Sequence, residues 1–255
     1  TRRWTLMAWY FLSAGLILGG QWAYEELGWG GFWAWDPVEN AAFMPWLTGT
    51  AFLHSVMIQE KRNMLKIWNV VLIILTFGLT IVGTFLTRSG IINSVHAFTQ
   101  SEIGPAFLIF LALILVIGFS LLFKRIQMLE SEHKIESVLC RENAFLAQNV
   151  LLVGIAFTVL LGTTFPLLAE AVRGTKLSIQ APFFNTIIAQ MGYMLLLLMG
   201  IGTLIAWRKS SWEGLLRNFK NPLILATAGT VFLAWFLSDR NLLWSVHTIF
   251  WLTIF

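Results

Sequence analysis

Apolar residues run through this chain in blocks of roughly 20, and polar residues gather in the gaps between them. Eight blocks stand out, at about 4–22, 38–58, 67–86, 104–123, 149–169, 186–207, 222–238 and 242–255. A helix of ~20 residues is about 30 Å long, which matches the thickness of a hydrocarbon core. The pattern therefore predicts an all-α, polytopic membrane protein. It should form one helical bundle over residues 1–255 with about eight transmembrane helices, the last of them cut short. Thr1 is not a start methionine and the chain stops inside an apolar run at Phe255, so it reads as an internal piece of a longer protein.

Composition sharpens this picture. The 255 residues are 57% hydrophobic and 12% charged, about half the charged fraction of a soluble domain. The gaps alternate in charge. One set holds Arg2, Arg3, Lys61, Arg62, Lys66, Lys124, Arg125, Lys134, Arg141, Arg208, Lys209, Arg217 and Lys220, and the other holds only Arg88, Arg173, Lys176 and Arg240. Basic loops stay on the cytoplasmic side, so the net charge of +4 reports topology and excludes a nucleic-acid footprint. The expected outer segments are 23–37, 87–103 and 170–185, close enough in kind to meet over one site. The inner segment 124–148 mixes both charges with spaced apolar residues and is expected to lie on the membrane as an amphipathic stretch. It carries His133, read as a solvated histidine. Its Cys140, the sole cysteine, excludes an internal disulfide or a CxxC pair.

Chemistry concentrates in one outer gap, Trp29-Gly-Gly-Phe-Trp-Ala-Trp-Asp-Pro-Val-Glu-Asn40. An aromatic belt at the membrane interface explains one or two rings per helix end. Here Trp29, Phe32, Trp33 and Trp35 crowd a single loop, with Gly30 and Gly31 allowing close approach or positive φ. That suits a flat, apolar, polarisable ligand, and haem is the first candidate. Asp36-Pro37-Val38-Glu39 has the form of a helix start, with an Asp cap, Pro at the first position and Glu three residues on. The two acids are thus candidates either for capping alone or for the site.

Three of the four histidines remain to be weighed. His54 lies eighteen residues beyond Asp36 within the second block, about 27 Å along a helix. An imidazole within a span is a candidate haem-iron ligand; the alternative is a hydrogen bond to Thr50 or to a neighbouring helix. His96 falls in the outer gap with the tryptophans and is the second candidate ligand. His247 reads as a packed or hydrogen-bonded histidine. Arg88, Arg173 and Lys176 are outer cations able to meet ligand carboxylates or lipid headgroups. No phosphate loop, HExxH pair or nucleophile beside a base is present, so no catalytic residue is assigned.

The stretch Trp29–Asp36 with Pro37-Val-Glu-Asn40 resembles the tryptophan-rich WWD signature of haem-handling proteins. Pro45-Trp-Leu-Thr-Gly-Thr50, Leu53-His54-Ser55, Phe85-Leu-Thr-Arg-Ser-Gly90, Ser94-Val-His-Ala-Phe98 and Gly162-Thr-Thr-Phe-Pro166 are similar to CcmF and its relative NrfE. The relatives CcmC and CcsA share the tryptophan core without the Pro-Val-Glu-Asn continuation. The resemblance implies a cytochrome c haem lyase subunit of system I maturation in the bacterial inner membrane, active at the periplasmic face. It implies that Trp29, Gly30, Phe32, Trp33, Trp35 and Asp36 form a haem platform with Arg88 nearby. His96 would flank that platform as an iron ligand, and His54 would ligate a separate transmembrane haem b. Each histidine would need a partner outside this sequence. Partners implied are a CcmE-like haem chaperone, a CcmH-like thiol protein, apocytochrome c and membrane lipid, with a quinol as a further candidate. The competing expectation is a haem exporter of the same group, which predicts more polar residues along the spans than Gln190, His54 and a few threonines supply.

Overall fold

A computed structural model describes residues 2–28, 30–89, 103–131, 137–175, 177, 179–207 and 209–237. Seven α-helices and no strand are present among the described residues: α1 (Arg2–Glu26), α2 (Pro37–Arg62), α3 (Lys66–Arg88), α4 (Gly104–Lys124), α5 (Arg141–Arg173), α6 (Ala181–Leu204) and α7 (Trp212–Leu237). Helices α2 to α6 are each long and apolar enough to cross a membrane. The protein is a multi-pass helical membrane protein. The expected eighth block, 242–255, lies outside the described residues.

Two compact units form, residues 1–133 with 152–189, and residues 134–151 with 190–255. In the first, α2 is the central helix and buries residues along most of its length, from Asn40 to Ile58. Antiparallel α3 lies close against it. Pro45 inside α2 removes the amide that would have bonded the Ala41 carbonyl. Gly83 of α3 comes up to that carbonyl, where a Cβ would stand 3.2 Å from the oxygen. Lower down, Thr76 of α3 donates to Thr48 of α2 at 2.8 Å. By contrast α4 buries only Gly104 and Leu122, and α1 exposes Trp4, Tyr10, Phe11, Ile17 and Leu18. Such apolar surface is stable in hydrocarbon, where exposing it costs nothing.

Of the segment 124–148, Ile126–Leu129 forms one 3-10 turn in the first unit, and α5 begins at Arg141 in the second. Arg141 ties that helix start in place. Its guanidinium donates to the carbonyls of Gly202 at 3.0 Å and Thr203 at 2.7 Å, and stacks 5.4 Å from the Trp207 ring. These are last-turn carbonyls of α6 that lack intrahelical donors, and a cation there also suits the helix dipole. Replacing Arg141 with Met is expected to lower stability by about 1–3 kcal/mol, read by thermal unfolding in detergent, while Arg141→Lys restores only part of it.

Helix α7 likewise starts before its apolar block, at Trp212, because the Ser211 hydroxyl accepts from the Gly214 amide at 3.1 Å. Cys140 is buried and donates to the Ser137 carbonyl at 3.0 Å. Burial pushes its thiol above the ordinary value, which keeps it protonated and unreactive at neutral pH.

Candidate functional site: an aromatic platform over the second helix

The tryptophan-rich loop runs from the end of α1 at Glu26 to the start of α2 at Pro37. Its end is a full capping box. The Asp36 carboxylate accepts from the Val38 amide at 3.0 Å, and Glu39 Oε2 accepts from the amides of Asp36 and Ala34, each at 3.1 Å. Both acids therefore serve the helix start, where negative charge is also favoured by the dipole.

Two segments distant in sequence, one in α5 and one in α6, converge on this loop and the head of α2. The amide of Asn40 donates to the Trp35 carbonyl at 3.0 Å and to Thr163 Oγ1 of α5 at 3.0 Å. The Trp35 indole donates to Asn185 Oδ1 of α6 at 2.7 Å and stacks on Phe184, with centroids 5.0 Å apart and planes 15° apart. Phe184 in turn lies over Gly162, where a Cβ would fall 2.4 Å from the ring. Trp35 is held at φ 61, a backbone state that costs an L-residue about 1–2 kcal/mol and persists only where surroundings impose it.

From the loop, rings continue along α2. Trp33 meets Phe43 edge-on at 5.5 Å, Phe43 stacks on Trp46 at 5.8 Å, and Trp46 stacks on Trp9 of α1 at 6.1 Å. Two hydrogen bonds pin the lower rings, Trp46 to Ser13 Oγ at 2.7 Å and Trp9 to Thr50 Oγ1 at 2.8 Å. The Thr50 hydroxyl gives its own proton to the Trp46 carbonyl at 2.7 Å. His54 is one turn further, half-buried on α2.

The expected site residues thus fall into distinct places. Phe32 is 60% exposed and stacks on Tyr24 of α1 at 4.6 Å. Gly30 takes φ 70, as its permissive backbone allows, and Gly31 has no positive φ. Trp33 sits between Trp35 and Phe43, and its Nε1 is buried with no hydrogen-bond partner among the described residues. Arg88 closes α3, exposed at the same end as the loop, since Gly83 contacts Ala41 one turn into α2. Arg173 is exposed at the end of α5. Trp29, His96, His133, Lys176 and His247 lie outside the described residues. Sequence reasoning missed Asn40, Phe43, Thr163, Phe184 and Asn185 as shapers of the site. A visible signal existed for two of them: Asn40 is a strong polar group opening an apolar span, and Thr163 belongs to the Gly162–Pro166 motif.

Residues 1–92 match the family model of the cytochrome C assembly protein. The chain is 47% identical over 214 residues to the cytochrome c-type biogenesis protein CycK of Rhizobium meliloti, covering 84% of this chain and 32% of that protein. It is 44% identical over 235 residues to CcmF of Escherichia coli, covering 92% and 36%. A solved structure of the cytochrome c haem lyase CcmF superposes with a TM-score of 0.77 at 40% identity, covering 99% of this chain and 37% of that one. The chain belongs to the CcmF/NrfE family of cytochrome c biogenesis proteins.

It spans about a third of the length of the curated relatives it matches. NrfE of Haemophilus influenzae also matches, 38% identical over 214 residues. In this CcmF-type chain, the motif residues Asn40 and Gly162–Thr163 now have a physical task. They fix the backbone and leave room for the ring that seats Trp35.

Proposed function

We propose that this chain is a haem-handling part of a cytochrome c haem lyase, acting in the bacterial inner membrane with its tryptophan loop at the periplasmic face. The observation that carries the reading is the Trp33 indole N–H, buried and without a partner among the described residues in the middle of an aromatic platform. A buried donor left unsatisfied costs about 1–3 kcal/mol. A ligand that brings an acceptor and a flat apolar face relieves that cost.

The residues fit haem in kind. Phe32 and Trp33 offer rings for stacking, Trp33 Nε1 offers a donor, and Arg88 offers a cation for a carboxylate. His96 would supply an imidazole to the iron of the haem being transferred, and His54 would supply one to a haem b within the bundle. Trp35 has a different task. Fixed by Phe184 and Asn185, it sets the angle of the loop and is a positioning residue. Asp36 and Glu39 hold the loop to the helix start.

Haem supplies the vinyl groups to which the two thiols of an apocytochrome CxxCH add, each forming a C–S bond while the thiol proton passes to the neighbouring vinyl carbon. The nucleophiles belong to the substrate, in keeping with a chain whose one cysteine is buried. The chain's share of the work is to hold and orient its cargo and to exclude water from it. A CcmE-like chaperone would bring the haem, a CcmH-like protein would present the thiols, and a quinol is the candidate source of electrons for the haem b. The basic loops carrying Arg2, Arg3, Lys61, Arg62 and Lys66 support placing the opposite end in the cytoplasm.

Trp33→Phe tests this directly. It keeps the ring and removes the orphaned donor, so thermal stability is expected to stay level or rise slightly. Haem retained through purification, measured as pyridine haemochrome, is expected to fall about tenfold or more, since a hydrogen bond to a charged acceptor is worth ~1.5–3 kcal/mol. Unchanged haem content would sink the assignment.

A further inference from the structure

We propose that the protein seats an anionic phospholipid in a cavity at the basic end of α1, α2 and α3, opposite the tryptophan loop. The cavity holds about 850 Å³ and is bounded by the first turn of α1, the last turns of α2, the first turns of α3 and Leu129 of the 3-10 turn. It lies wholly within the first unit.

Three observations converge on this ligand class. The first is charge: Arg2, Arg3 and Lys66 stand at the mouth against one acid, Glu60. Arg2 is committed to Glu60 by an ion pair of 2.6 Å, which leaves Arg3 and Lys66 as the net positive pair facing the cavity. The second is the gradient of polarity with depth. Lys66 opens α3, Asn69 is one turn below, and Ile73 is another turn below that, about 10 Å from the mouth. The deeper wall is apolar, with Phe52 and Val56 of α2 facing Val70 of α3. A cationic rim over an apolar wall at the end of a membrane span matches a phosphate group above an acyl chain.

The third observation is Asn69 itself. It is 3% exposed and lines the cavity. Its Nδ2 donates to Gln59 Oε1 at 2.5 Å, while its Oδ1 is buried with no partner among the described residues. An amide half-satisfied in an apolar wall is costly. The ester oxygens of a glycerophospholipid lie just below its phosphate, and when Asn69 and Gln59 turn their amides together the freed Asn69 N–H can donate to one of them. A free phosphate would answer the rim but leave both the amide and the apolar wall unmet.

The test uses the full-length protein, purified and stripped of lipid in detergent, then given mixed micelles of phosphatidylglycerol, phosphatidylcholine with the same acyl chains, or inorganic phosphate. Phosphatidylglycerol is expected to raise Tm by about 3–6 °C over phosphatidylcholine, and inorganic phosphate to leave it unchanged. The double variant Arg3→Gln with Lys66→Gln is expected to lose most of that gain. Val70→Trp, which fills the cavity and keeps its charges, should lose it as well. Lipid extracted from protein purified without stripping should be enriched several-fold in phosphatidylglycerol over the bulk membrane, and less so from Val70→Trp. Equal response to the two lipids, or full response in both variants, overturns the proposal. A gain reproduced by inorganic phosphate alone also overturns it, by assigning the rim to a free anion.

Discussion

Trp35→Ala is expected to destabilise the first unit by about 3–5 kcal/mol and to abolish haem retention by the purified protein. The magnitude follows from what one side chain does. Trp35 stacks on Phe184, meets Trp33 and Phe43 edge-on, and donates to Asn185. Truncation leaves Asn185 without its donor and opens space beneath a ring that is itself 2% exposed. Trp35→Phe should keep the stack and lose the indole hydrogen bond, at about 1 kcal/mol. The backbone supplies a sharper signature. At φ 61 alanine is strained and glycine is not. Trp35→Gly should therefore be about 1 kcal/mol more stable than Trp35→Ala, the reverse of the usual order. Thermal or denaturant unfolding in detergent reads all three. A Trp35→Ala protein as stable as the parent would show that the stack does not organise the loop.

Gly162→Ala is the second large effect, expected to cost about 1–3 kcal/mol through overpacking. The added methyl would stand 2.4 and 2.5 Å from two Phe184 carbons and 3.3 Å from Phe183. Phe184 cannot yield cheaply, because its other face carries Trp35. The disturbance should pass to the tryptophan loop, so haem retention is expected to fall although no platform residue is altered. Phe184→Leu removes the ring edge that clashes. Combined with Gly162→Ala, it should cost less than the sum of the two single changes, and a double-mutant cycle measures that coupling. Strict additivity would place the two residues out of contact.

The sequence shows plainly what depends on local periodicity. Apolar blocks mark where the helices are, and Asp36-Pro37-Val38-Glu39 marks the start of α2 with the cap the structure contains. Helix starts set by tertiary partners were hidden. Arg141 opens α5 because it reaches the carbonyls of Gly202 and Thr203, and nothing near Arg141 in the chain announces that. The same holds for the platform. Tryptophan crowding is visible in one dimension, but the division between Phe32, lying out on Tyr24, and Trp35, locked by Phe184, is not. In lipid, apolar residues cover both the inside and the outside of a bundle, so periodicity could not reveal that α4 is nearly bare while α2 is central. The cavity at the basic end was equally hidden, since its walls come from three helices whose facing sides look alike in sequence.

The partners that shape the tryptophan loop lie 123 and 150 residues further along the chain, at Thr163 and Asn185. A polypeptide in which α1 to α4 have been made already contains every described ring of the loop and neither of these supports. Until α5 and the head of α6 arrive, Asn40, Trp33 and Phe43 are the contacts that act on Trp35, and its left-handed conformation lacks the stack and hydrogen bond that α6 provides. The loop therefore reaches its final shape only after the two helices that follow α4 have been made.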